Sequence, residues 1–116
     1  MVTIWHNSRC GKSRDSKNLL DEMGVEHEVF EYLKNEFTKE DIKELMKKLG
    51  ISDVRQMLRT KEKEYKELNI NDETKTGDEI IDLVVQNPKL VERPIVIKGD
   101  KAVIGRPIEN VKELLG

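Results

Sequence analysis

The apolar positions of this 116-residue chain switch between two periods. "VTIW" (2–5) is an apolar run of strand length. Behind it, "KSRDSKNLLDEMG" places Leu19, Leu20 and Met23 at helical spacing, with Gly24 as a stop signal. "VEHEVFEYL" (25–33) alternates, with Val25, His27, Val29 and Glu31 on one side and Glu26, Glu28, Phe30 and Tyr32 on the other. It reads as a second strand. "TKEDIKELMKKLG" returns to the helical period: Ile42, Leu45, Met46 and Leu49 form one stripe, Thr38 and Asp41 supply a cap, and Gly50 ends the helix. "SDVRQMLR" (52–59) predicts a short helix capped by Ser52. Residues 60–76 are polar, anchored by Tyr65, Leu68 and Ile70. "TGDEIIDLVVQNP" predicts another helix, opened by a capping box of Thr76 and Glu79 and closed at Asn87-Pro88.

Two β-branched runs, Ile95–Ile97 and Ala102–Ile104, flank Gly99-Asp100 and predict a hairpin, because Gly and Asp accept the dihedrals of a tight turn. "PIENVKELLG" predicts a closing helix with Pro107 in its first turn and Ile108, Val111, Leu114 and Leu115 on its apolar face. The order is strand, helix, strand, helical block, strand, strand, helix. It predicts an α/β fold, a mixed sheet flanked by helices, in a single domain spanning 1–116. A helical insertion at about 38–87 separates the second and third strands.

Composition narrows the function. Apolar residues make up 36% and charged residues 38%, so a modest core carries a heavily charged surface. A net charge of −2 gives no footing for a general nucleic-acid binder. No apolar stretch approaches a membrane span, and "MVTIW" is too short for a signal peptide, so a cytoplasmic protein is expected. One cysteine excludes an internal disulfide. It also excludes a cysteine-based zinc site, which His6 and His27 do not complete, so no metal is expected.

That cysteine sits in "HNSRCGKSR" (6–14), between the first strand and the first helix. Free N–H groups and partial positive charge at a helix start stabilise a thiolate, the reactive form of the side chain. Arg9, Lys12 and Arg14 add positive charge. Ser13 completes a C-x-x-S spacing and can donate to the sulfur from its hydroxyl or its backbone N–H. His6 is placed to orient or polarise the loop. A lone cysteine is most often a small buried hydrophobe, but a position between Arg9 and Gly11 in a loop argues against burial here. With no second cysteine, an oxidised Cys10 must be resolved by an external thiol. Arg59 ends the short helix, and Arg93-Pro94 and Arg106-Pro107 bracket the hairpin. If the hairpin packs beside the first strand, Arg93 and Arg106 can face Cys10, and guanidinium forks suit tetrahedral oxyanions.

The chain resembles the glutaredoxin-linked arsenate reductase family, from residue 2 to the last helix. The resemblance is carried by "HNSRCGKSR", "LRTKEKEYKEL" and "RPIVIKGDKAVIGRP". It implies a thioredoxin-like (glutaredoxin-like) fold, with Cys10 as nucleophile and His6 as the histidine that helps activate it. It also implies Arg59, Arg93 and Arg106 as oxyanion-binding arginines, and Pro94 as a cis-proline beside the site. The implied reaction reduces arsenate, or a similar small oxyanion, with glutathione as co-substrate and glutaredoxin as partner, and with no bound cofactor. Two alternatives stay open: a related glutathione-dependent thiol reductase, and a regulator of the Spx type that docks on RNA polymerase. Spx proteins commonly carry C-x-x-C, where this chain has Ser13.

Overall fold

The computed structural model describes residues 2–116. Two compact units emerge: residues 2–36 together with 93–116, and residues 37–92.

The first unit holds a four-stranded sheet in the order β2-β1-β3-β4. Strand β1 (Val2–Trp5) is interior and largely buried. Helix α1 (Gly11–Glu22) follows, and β2 (His27–Phe30) pairs parallel to β1 with Val2 opposite His27 and Trp5 opposite Phe30. A parallel pair needs a crossover of this kind. The expected strand at 25–33 shortens to four residues. Its partner offers only four ladder positions, and the chain turns at Glu31, whose carbonyl accepts from the Lys34 and Asn35 amides. As an edge strand, β2 stays half exposed.

Strands β3 (Ile95–Lys98) and β4 (Lys101–Ile104) form the expected hairpin, closed by Gly99-Asp100 with Gly99 at φ +63°. Strand β3 pairs antiparallel to β1, with Ile4 opposite Val96 and Trp5 opposite Ile95. Alternation along these strands sends Val2, Ile4 and Val96 to one face, where they bury with Leu20 of α1 and Val111 of the last helix, α5 (Glu109–Leu115). Leu19, Leu114 and Leu115 pack around them, while Met23 is exposed. The Trp5 ring lies 4.9 Å from Phe30 and 5.9 Å from Tyr32 between centroids. Pro107 precedes α5 rather than opening it. Its carbonyl accepts from the Asn110 amide in the turn that leads into the helix.

The second unit is helical. Helix α2 (Lys39–Leu49) carries the predicted reciprocal cap: Asp41 N–H donates to Thr38 Oγ1, and Thr38 N–H donates to the Asp41 carboxylate. Gly50 ends it at φ +71°, a conformation that costs glycine little. The segment 52–59 differs from expectation. It is a 3-10 turn over Val54–Met57, and Asp53, not Ser52, caps it, because a carboxylate is the stronger acceptor for the Arg55 amide. The polar stretch 60–76 contains a further one-turn helix, α3 (Lys63–Glu67), with Tyr65 and Ile70 buried. Helix α4 (Gly77–Gln86) packs against α2, with ion pairs Lys39–Asp82 and Lys43–Asp78 between them. At its start the Thr76 hydroxyl accepts from Glu79 N–H and donates to the Glu79 carboxylate. No helix among the described residues is long and apolar enough to cross a membrane.

Candidate active site

Cys10 is the N-cap residue of α1, in an extended backbone conformation (φ −96°, ψ 122°). Its amide donates to Asn7 O and its carbonyl accepts from Arg14 N–H, so the loop closes directly into the first helical turn. The sequence argument against burial is corrected here: Cys10 is only 9% exposed. Pairing of β3 with β1 brings the end of the hairpin against this loop and covers the sulfur.

The covering group is Arg106. Its Nη2 lies 3.4 Å from Cys10 Sγ, and its Nε donates to Arg93 O at 2.8 Å. One guanidinium therefore spans from the thiol to the backbone of the other R-P arginine, Arg93. Burial pushes the Cys10 thiol up, yet the net displacement is downward. The Ser13 amide, the Arg93 charge, the Lys12 amide and the Arg106 guanidinium together outweigh burial. Cys10 makes no side-chain capping hydrogen bond, so the two amides act on it as partial positive charges at the helix start. The expected charge from Arg9, Lys12 and Arg14 is thus supplied mainly by Arg93 and Arg106. Arg14 instead braces the loop by donating to Ser8 O at 2.9 Å.

Ser13 divides its groups. Its amide serves the thiol, while its buried hydroxyl accepts from Asn7 N–H at 2.9 Å and lies 2.7 Å from His6 Nδ1. Either group can supply the proton of the His6 contact, because the hydroxyl keeps a second lone pair as well as its own proton. Burial pushes His6 down from its ordinary value. Glu31 opposes this, and Lys17 and Arg14 add to it. The described hydrogen bond of His6 is therefore to Ser13, through which it holds the start of α1.

Arg59 belongs to the helical unit, where its amide donates to Leu90 O and its guanidinium pairs with Glu62 at 3.2 Å. Both Arg93-Pro94 and Arg106-Pro107 are cis.

Three residues without an assigned role in the sequence reading support the site. Asn7 ties the loop to Ser13, and its Oδ1 accepts from Arg9 N–H. Asn110 donates to Ile104 O and Arg106 O and so fixes the segment that carries Arg106. Gly105, whose amide donates to Pro94 O, fills a place with no room for a side chain. The "N-x-x-C" and "G-R-P" spacings were the available signals.

The ArsC family model matches residues 5–114. The chain is 48% identical over 115 residues to the uncharacterized protein YfgD of Escherichia coli (strain K12), covering 99% of this chain and 97% of that one. It is 44% identical over 114 residues to an arsenate reductase of Haemophilus influenzae, covering 98% of each. The solved structure of an arsenate reductase from Vibrio cholerae superposes with a TM-score of 0.94 at 42% identity, over 97% of this chain and 95% of that one. The expected thioredoxin-like mixed sheet flanked by helices is the fold found.

Proposed function

The chain belongs to the ArsC family, and on that premise we propose that it reduces arsenate to arsenite through Cys10, with glutathione and glutaredoxin supplying the electrons. The observation that supports this reading is the Arg106 guanidinium 3.4 Å from a cysteine whose ionisation is favoured at a helix N-terminus. Similarity to named arsenate reductases points to the oxyanion.

In this scheme Arg93 and Arg106 bind the oxyanion beside Cys10. The family resemblance assigns the third arginine to Arg59. The Cys10 sulfur forms a bond to arsenic and a water or hydroxide leaves, with arsenic still As(V). Glutathione adds to arsenic in the same way. Two S–As bonds then give way to one S–S bond between Cys10 and glutathione. The remaining electron pair stays on arsenic, which leaves as arsenite. A glutaredoxin thiol exchanges into the mixed disulfide and frees Cys10. Ser13 cannot take this last step, because a hydroxyl forms no disulfide. His6 is a positioning residue in this scheme, since it acts through Ser13.

Arsenite formation with arsenate, glutathione and glutaredoxin tests the proposal, against Cys10→Ser and Arg59→Lys variants. The expected result is steady arsenite from the wild type and none from Cys10→Ser. Leaving out glutaredoxin should leave one glutathione on Cys10 in the intact mass. Steady turnover with thioredoxin and no glutathione would overturn the electron route. No arsenite with any thiol would overturn the substrate.

A further inference from the structure

Arg106 has a second neighbourhood. Besides touching the Cys10 sulfur, it borders a cleft of about 440 Å³ whose walls include Lys12, Asp15, Gly105, Ile108 and Glu109. This volume lies in the range of sites for small organic molecules and far exceeds what one tetrahedral oxyanion fills. Its charges are of both signs: Lys12 and Arg106 are cations, Asp15 and Glu109 are anions. Lys12 and Asp15 stand three residues apart on α1, so they project from neighbouring positions on one helix face. Lys12 is also linked to the sulfur from its other end, because its amide is among the groups that favour the thiolate.

A cleft that shares an arginine with the reactive thiol, and that presents paired cations and anions, fits a zwitterionic peptide rather than a bare anion. We propose that this cleft is the seat of the thiol co-substrate, a short peptide thiol of the glutathione type. Glutathione carries an ammonium and two carboxylates on either side of its central thiol. Asp15 and Glu109 receive the ammonium, and Lys12 and Arg106 receive carboxylates. The central sulfur is then delivered to the Cys10 side of Arg106. The assignment rests on the reading that an external peptide thiol completes the reaction, and it adds where that thiol binds and which residues select it.

Two measurements test it separately from the reaction. The first titrates S-methylglutathione, which cannot react, into the full chain without arsenate and follows backbone amide shifts by NMR. Shifts concentrated at residues 12–15 and 105–109, weakened in Asp15→Asn and Glu109→Gln, are expected. N-acetyl-S-methylcysteine amide, which lacks the flanking charges, should cause little change. The second measures arsenite formation. Each substitution should raise the KM for glutathione about two- to fivefold, the range of an exposed ion pair, with kcat and the KM for arsenate held. Asp15 and Glu109 are both exposed, so these variants should fold.

If the probe shifts other residues, or if both variants keep the wild-type glutathione KM while arsenite forms, the cleft assignment is overturned and the reductase reading stands. If the wild type forms no arsenite but the probe still binds at the cleft, the reading falls and the site is upheld.

Discussion

Replacing Gly105 with alanine tests how tightly the Arg106 segment is seated. A Cβ at that position would lie 2.8 Å from Pro94 Cγ, 2.8 Å from Ser16 Oγ and 3.2 Å from Val111 Cγ2. Ordinary contacts between carbon atoms lie near ~3.5–4.0 Å, so two of the three fall well inside the repulsive wall. None of these neighbours yields easily. Pro94 is buried in a ring, Ser16 is fully buried on α1, and Val111 is fully buried in the core. Gly105 does not adopt the left-handed conformation, so the penalty is steric and not dihedral. Overpacking of this kind costs about 1–3 kcal/mol, and the lower unfolded-state entropy of alanine returns about 0.4–1 kcal/mol. A net loss of about 1–2 kcal/mol is expected.

The partner variant is Ser16→Ala. The Ser16 hydroxyl is buried and makes no hydrogen bond, so removing it should be neutral or mildly stabilising. It also removes one of the two severe contacts. In the double variant the loss from Gly105→Ala should therefore shrink, giving a coupling of about 0.5–1.5 kcal/mol. Urea unfolding of the four proteins measures the cycle. A Gly105→Ala protein within ~0.5 kcal/mol of wild type, the usual scatter for a surface change, or a cycle with no coupling, would refute the packing argument.

Other expectations bear on the site itself. In wild type, Cys10 should alkylate with a pH midpoint below the usual thiol range, and Arg106→Ala should move that midpoint up, because the guanidinium at 3.4 Å favours the thiolate. An unmoved midpoint would remove Arg106 from the electrostatics of the thiol. Arg93→Lys and Arg106→Lys should each weaken binding of arsenate or sulfate while far-UV circular dichroism stays unchanged, since lysine keeps the charge but loses the planar fork. Unchanged affinity in both would take these residues out of the oxyanion site. His6 is pushed below its ordinary value of 6.5 in the folded state, mainly by burial. Its contribution to stability is therefore complete above that pH and lost as pH falls through the folded value. Stability of wild type should decline on acidification in this window, and His6→Gln should flatten that part of the profile. Equal slopes for both proteins would count against a buried neutral imidazole.

Much of the local structure was legible because its causes are local. The stripe of Ile42, Leu45 and Met46 with the Thr38–Asp41 cap defines α2, and Gly99-Asp100 between two β-branched runs defines the hairpin. The misread details also have local causes that compete closely. Asp53 outbids Ser52 as a cap, and the second strand is cut short by the length of its partner.

The cysteine and its helix-start position were likewise readable from sequence, because a strand-loop-helix junction is built from neighbours. What surrounds the sulfur was readable only as a condition, that Arg93 and Arg106 face it if the hairpin packs beside the first strand. The Arg106 contact spans 96 positions and exists because β3 pairs antiparallel to β1 in one register. The Ser13 hydroxyl could have served the thiol, but the approach of His6 and Asn7 claims it. Burial of Cys10 depends on the same long-range closure. The sequence by itself thus determined most of the elements and the place of the single thiol at a helix start, since periodicity, caps and turn chemistry act over a few residues. The tertiary structure alone decided which charges meet the thiol and how deeply it is covered, because those contacts depend on strand pairing between distant parts of the chain.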